Sequence, residues 1–149
     1  MESTTNGTPV LQFSVMLENR VGALLGLVKL LNDHAVDVIG LSVQDSYDTT
    51  VVRLVVTDSD TVQTVFIEKG IAFGTSELLV VALQEGPAQL GECHAALLQA
   101  ETNIYFCYPL LVHPSDKTML ALRLDDHEFG GEVLHNNGFK VLCQEDLSR

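Results

Sequence analysis

The chain has 149 residues, 46% of them hydrophobic, with a mean hydropathy of +0.22, which supplies a core and rules against wholesale disorder. Eight basic residues against twenty acidic ones leave a formal net charge of −12; such a chain repels phosphate backbones and anionic bilayers, so neither nucleic acid nor a membrane is expected as partner. No apolar run approaches the roughly 20 residues that span a bilayer, and the start MESTTNGTP lacks the parts of a signal peptide, so a cytoplasmic location is expected.

Residues 1–9 show no periodicity and read as a disordered tail. An alternating strand follows, with Leu11, Phe13, Val15 and Leu17 on one face. A polar turn, Glu18 to Gly22, opens into a helix over about Ala23 to Asn32, whose Leu24, Leu27, Val28 and Leu31 form one apolar stripe that must pack on something flat. A strand over about Val36 to Gln44, a turn marked by Asp48 and a β-branched central strand over Thr50 to Val56 come next. Asp58 or Ser59 caps a second helix with Val62, Val65 and Phe66 inward and Gly70 as its stop, and Ile71 to Leu79 closes the unit. Strand, helix, strand, strand, helix, strand is the split βαβ order, a four-stranded antiparallel sheet with two helices on one face.

The remainder repeats the unit. Leu83 lies 66 residues after Leu17, Leu90 after Leu24 and Ile104 after Val38; beyond the hairpin the offset becomes 68, matching Gly70 with Gly138 and Glu77 with Glu145. The fold expected is therefore α+β, two ferredoxin-like βαββαβ modules in tandem, residues 10–79 and 80–149. TSELLVVAL crosses the boundary without a Gly, Pro or Ser linker, so the last strand of one module should run into the first strand of the next. Tyr105, Phe106 and Tyr108 precede Pro109, which a central strand would not tolerate, so that strand belongs at a sheet edge, available to a second copy.

A strand that ends at a helix start presents unpaired N–H donors and the positive end of a helix dipole, where a small carboxylate can dock. Gly22 has no Cβ to obstruct that approach, although it reads equally as an ordinary turn glycine, and Arg20 as a solvated surface residue. Asn19-Arg20-Val21-Gly22-Ala23-Leu24 resembles the Asp-Arg-Pro-Gly-x-Leu signature of ACT domains, regulatory modules that sense amino acids in metabolic enzymes. The second copy, Glu85-Gly86-Pro87-Ala88-Gln89-Leu90, keeps an acid, the proline and the leucine and loses the arginine and the glycine. With the element order and the endings GIAFGTSELL and GFKVLCQEDL, the chain is similar to stand-alone tandem ACT proteins; FSVMLENRVGALLGLVKLL also resembles the opening of acetolactate synthase regulatory subunits.

The resemblance implies a ligand between modules, touching this turn and the start of strand two, here Asp37 and Val38, and in the second copy Asn103 and Ile104. Turn amides for the carboxylate and Asp37 for the ammonium would suit an amino acid; Asp37 reads otherwise as a solvated strand-start residue. Ala88 in place of glycine narrows the second site, which is expected to bind more weakly or not at all, and Pro87 suits a first helical turn. The function implied is a non-catalytic, allosteric amino-acid sensor, dimeric as is typical of the family, or a regulatory subunit that docks on a separate biosynthetic enzyme such as acetolactate synthase.

No phosphate loop, nucleophile elbow or His-Glu motif is present, so neither a catalytic centre nor a cofactor is expected. Cys93 and His94 are adjacent on a helix, and His34, His113, His127 and His135 lack ligand spacing, so no metal site is expected. Cys93, Cys107 and Cys143, widely spaced and without CxxC, read as buried free thiols.

Overall fold

The computed structural model describes residues 7–18, 22–45, 48–111 and 117–148. Contacts group them into two units: Leu11–Ser76 with Ser148, and Glu77–Leu147 with the described residues up to Val10.

The alternation in the first half produces strands β1 (Val10–Glu18), β2 (Val38–Asp45) and β3 (Thr49–Val56), and the two apolar stripes produce helices α1 (Ala23–Asp33) and α2 (Ser59–Glu68). The β-branched β3 lies between β2 and β1 and is antiparallel to both, with Val15 opposite Val52 and Leu41 opposite Leu54. Leu27 and Leu31 of α1 and Val62 and Phe66 of α2 meet Phe13, Val15, Val52 and Leu54 in one core. Both helices thus cover the same sheet face, because period-2 alternation turns one side of every strand toward them. On the other face Gln12 is buried; its Nε2 donates to Ser14 Oγ and Ser76 Oγ, each at 3.3 Å.

Strand β4 (Phe73–Leu83) is one unbroken element that begins in the first unit and ends in the second. Then come α3 (Leu90–Gln99), β5 (Ile104–Pro109), β6 (Thr118–Leu124), α4 (His127–Asn136) and β7 (Lys140–Leu142). Here β4 pairs antiparallel with β6 on one side and with β7 on the other, and β5 pairs with β6. Pro109 accordingly ends a strand at the edge of the strand order. Leu97 of α3 and Leu134 of α4 pack with Leu79, Val81, Leu122 and Leu124. The fold is α+β, two βαββαβ modules with helices on one face of antiparallel sheets.

The repeat persists at the level of single hydrogen bonds. Asp58 caps α2 by accepting from the Thr61 N–H, and Asp126 caps α4 by accepting from the Phe129 N–H. All four helices named so far end alike: Val36 N–H donates to Leu31 O and Ala35 N–H to Asn32 O, with the same two bonds at Ile71/Phe66 and Gly70/Ile67, Thr102/Leu97 and Glu101/Leu98, Phe139/Leu134 and Gly138/His135. This is the Schellman arrangement, with a left-handed residue just past the helix. Glycine fills that place after α2 and α4, but Ala35 (φ 57) and Glu101 (φ 55) fill it after α1 and α3.

The two endings diverge. The offset that pairs Glu77 with Glu145 suggests matching strands, yet β7 spans three residues and the chain turns into a short helix, α5 (Gln144–Leu147). One local and two long-range bonds divert it: Cys143 N–H donates to Asp146 Oδ2 at 3.0 Å, and Glu145 accepts from the Thr8 hydroxyl at 2.6 Å and the Thr8 N–H at 3.0 Å. Bonds from Thr8, with smaller help from Cys143, hold the Glu145 carboxyl down at about 2. Residues 1–6 lie outside the described residues.

Candidate functional site

In the first copy of the turn, Asn19, Arg20 and Val21 lie outside the described residues. Gly22 is the N-cap of α1 at φ 86, ψ −7; its carbonyl accepts from the Gly26 N–H at 2.9 Å, and no side chain caps the helix. A Cβ at Gly22 would meet nothing within 4 Å, so the left-handed angle rather than crowding favours glycine there. Ala23 and Leu24 are half-buried, and Leu24 packs on the first unit's core.

Asp37 is exposed at the foot of β2. Thr57 holds its backbone twice: Thr57 N–H donates to Asp37 O and Asp37 N–H to Thr57 Oγ1, both at 3.1 Å. Val38 is half-buried against the core. Gly22 and Asp37 flank opposite ends of α1, which at 11 residues is about 16 Å long. One small amino acid therefore cannot bridge both inside a module.

In the second copy, Gly86 (φ 75) opens a four-residue 3-10 turn, Gly86–Gln89, with Pro87 in its first turn. The 66-residue offset would place the counterpart of Gly22 at Ala88, but the left-handed residue sits two positions earlier. Proline accounts for the shift: its fixed φ suits the turn's start and pushes the positive-φ residue upstream. Ala88 is exposed, while the Glu85 N–H donates to Gln89 Oε1 at 2.9 Å. Asn103 repeats the Asp37 contact, its carbonyl accepting from the Asp125 N–H at 3.2 Å, and Ile104 packs against the second core.

Beside this second turn lies a cleft of about 370 Å³ lined by Ala82, Gln84, Glu85, Gln89, Lys117, Gly138 and Phe139. Lys117 is half-buried and donates from Nζ to Gln84 O at 3.2 Å. An adjoining cleft shares Gly138 and Phe139 and adds His135, Lys140 and Val141. Gln84, Gln89 and Lys117 carry no motif. Antiparallel pairing gathers them, because the end of β4 meets the start of β6 (Leu83 opposite Thr118) and the start of β7 (Ala82 opposite Lys140).

The thiols depart from expectation. Cys93 is buried, and burial pushes its thiol up to about 11, but Cys107 is exposed and Cys143 partly so. Cys107 stands on edge strand β5 between buried Tyr108 and half-buried Phe106, and alternation turns it outward as it does Tyr105 and Pro109. Its Sγ lies 4.0 Å from His94 Nε2, whose ring Nδ1 is 2.8 Å from Leu90 O. Among the described residues no three His, Cys, Asp or Glu side chains gather as metal ligands, and no helix is long and apolar enough to cross a membrane. His113 lies outside the described residues.

A search of curated proteins finds no match. Among solved structures, protein BT0572 from Bacteroides thetaiotaomicron superposes with a TM-score of 0.87 at 19% identity, covering 97% of this chain and 99% of that one. The regulatory subunit of aspartate kinase from Thermus thermophilus, in its ligand-free form, gives 0.62 at 10% identity over 86% and 91%. Its Thermus flavus counterpart gives 0.55 at 11% over 87% and 92%. These likenesses speak to the fold. The sequence profile described as "ACT domain pair" matches residues 8–149. With that match spanning nearly the whole chain and a βαββαβ module in each half, the chain belongs to the ACT domain pair family.

Proposed function

We propose that the protein is a non-catalytic amino-acid sensor, a homodimer that binds a small amino acid at an interface between ACT modules and acts by shifting a conformational or assembly equilibrium. The observation that carries this reading is the match to an ACT domain pair over residues 8–149, since ACT domains are regulatory modules. The separation of Gly22 from Asp37 along α1 supports a site that draws its turn and its strand start from different modules. Regulation further requires that the ligand bind two states unequally.

Thermal melts with each amino acid in turn test it. At about 100 times its dissociation constant a ligand adds roughly 2.7 kcal/mol and raises Tm by a few degrees. Silence toward every amino acid at millimolar concentration would remove the sensor. Gly22→Asp places a carboxylate where the ligand's own would dock at the first turn, and there the melt response should fall; an unchanged response would clear the first turn of a role.

A second reading, a regulatory subunit that docks on a separate enzyme, is favoured by the likeness to the aspartate kinase regulatory subunit from Thermus thermophilus, 91% of which is covered. Acetolactate synthase is the enzyme to which the opening of the sequence points. An enzyme of amino-acid synthesis copurifying with the tagged protein would establish docking, and its absence from such preparations would count against it.

A further inference from the structure

We infer that the cleft beside the second turn is a zwitterion site selective for small polar α-amino acids, with Lys117 receiving the carboxylate and Glu85 the ammonium. This rests on the sensor reading above and places the ligand on the copy whose turn lacks the signature glycine.

The cleft's charge is balanced. Lys117 and Glu85 contribute one charge of each sign, and Gln84 and Gln89 add neutral amides. A zwitterion meets complementary groups in such a site, whereas a dicarboxylate or a free cation leaves one charge opposed. Lys117 is anchored by one bond from its ammonium to Gln84 O, and an ammonium has three donors. Gln89 spends its Oε1 on the Glu85 N–H, which orients its NH₂ as a donor. The volume of about 370 Å³ lies within the range of small-molecule sites, about 300–1,000 Å³.

By sequence offset, the first copy does not repeat this pair of charges. At the offsets of 66 and 68, Glu85 corresponds to Asn19, Gln89 to Ala23 and Lys117 to Thr49. Selectivity follows from the walls: Ala82 and Phe139 are the apolar members of the lining. A branched aliphatic side chain would strip water from the two glutamine amides without replacing their hydrogen bonds, and a hydroxyl or amide side chain would replace them.

Titration calorimetry on the full chain tests this with serine, threonine, asparagine and glutamine against valine, leucine and isoleucine. One or more of the polar set should bind at least about tenfold tighter than any of the aliphatic set. Lys117→Met should weaken that binding about tenfold or more, consistent with loss of a charge-assisted bond. Glu85→Gln should weaken it as well, and Lys117→Arg should retain it. Melting curves of each variant without ligand establish that it is folded. An isotherm for Lys117→Met that superimposes on the parent's, with an amino acid still bound, overturns the cleft and leaves the sensor standing. Tightest binding of an aliphatic amino acid overturns the selectivity, and no binding by any amino acid overturns both.

Discussion

Thr102 is one of the described residues whose buried polar atom lacks a partner. It is 8% exposed, and its Oγ1 has no hydrogen-bond partner. It occupies the position just beyond the left-handed residue of α3 that Val36 occupies after α1, where an apolar side chain packs back on the helix. Thr102→Val keeps the shape and removes the orphaned hydroxyl, so it should stabilise by about 1 kcal/mol, seen as a higher urea midpoint at unchanged slope. His127 supplies a second test. Burial first, and then the Arg123 guanidinium, whose Nη1 donates to His127 Nε2, hold this histidine below its ordinary value of 6.5; Glu77 and Asp126 pull weakly the other way. The unfolded chain therefore binds the proton more readily, and the neutral ring's contribution is complete above 6.5 and lost as pH falls through the folded value. Stability should drop in that window and drop less in His127→Gln, while a His127 pKa by NMR at or above 6.5 would contradict the arrangement. Neither residue was legible in the sequence, because both depend on what tertiary packing places around them.

At the scale of elements, periodicity sufficed for what it encodes. The stripe Leu24, Leu27, Leu31 gave α1, the β-branched run gave the central β3, and Pro109 marked an edge. The caps Asp58 and Asp126 were readable because capping is local chemistry. The cleft was not readable: Gln84, Gln89 and Lys117 come together through strand pairing across more than 30 residues, which no window of sequence contains. The turn at Ala88 misled for a related reason, since a constant offset cannot express the two-residue shift that Pro87 imposes. Packing of α4 on β6 gives the prediction proper to this scale. Gly130 is buried, and a Cβ there would collide with Leu124 Cδ1, which belongs to the core. Alanine gains about 1 kcal/mol of helix propensity, but overpacking costs about 1–3 kcal/mol, so Gly130→Ala should lower Tm. Ala35→Gly should do the opposite: it relieves about 1–2 kcal/mol of left-handed strain against up to about 1 kcal/mol of added chain entropy, and its Tm should rise.

For the molecule as a whole, the net charge of −12 is a standing self-repulsion that counterions screen. Raising salt from about 10 mM to about 150 mM shortens the Debye length from about 30 to about 8 Å. Tm should rise over that range, and a proposed dimer, joining two like-charged copies, should tighten with it. Sedimentation at both salt concentrations reads the second effect; a fall in Tm would show that attractive surface pairs outweigh the excess of acid. The bond from Thr8 to Glu145 carries a different consequence, one of timing. These partners are 137 residues apart, and at about 5–20 residues per second synthesis leaves Thr8 without its acceptor for about 7–27 seconds. Every copy thus passes a nascent stage in which Thr8 lacks this partner, and the stage ends only after Glu145 has been made and has emerged from the ribosome.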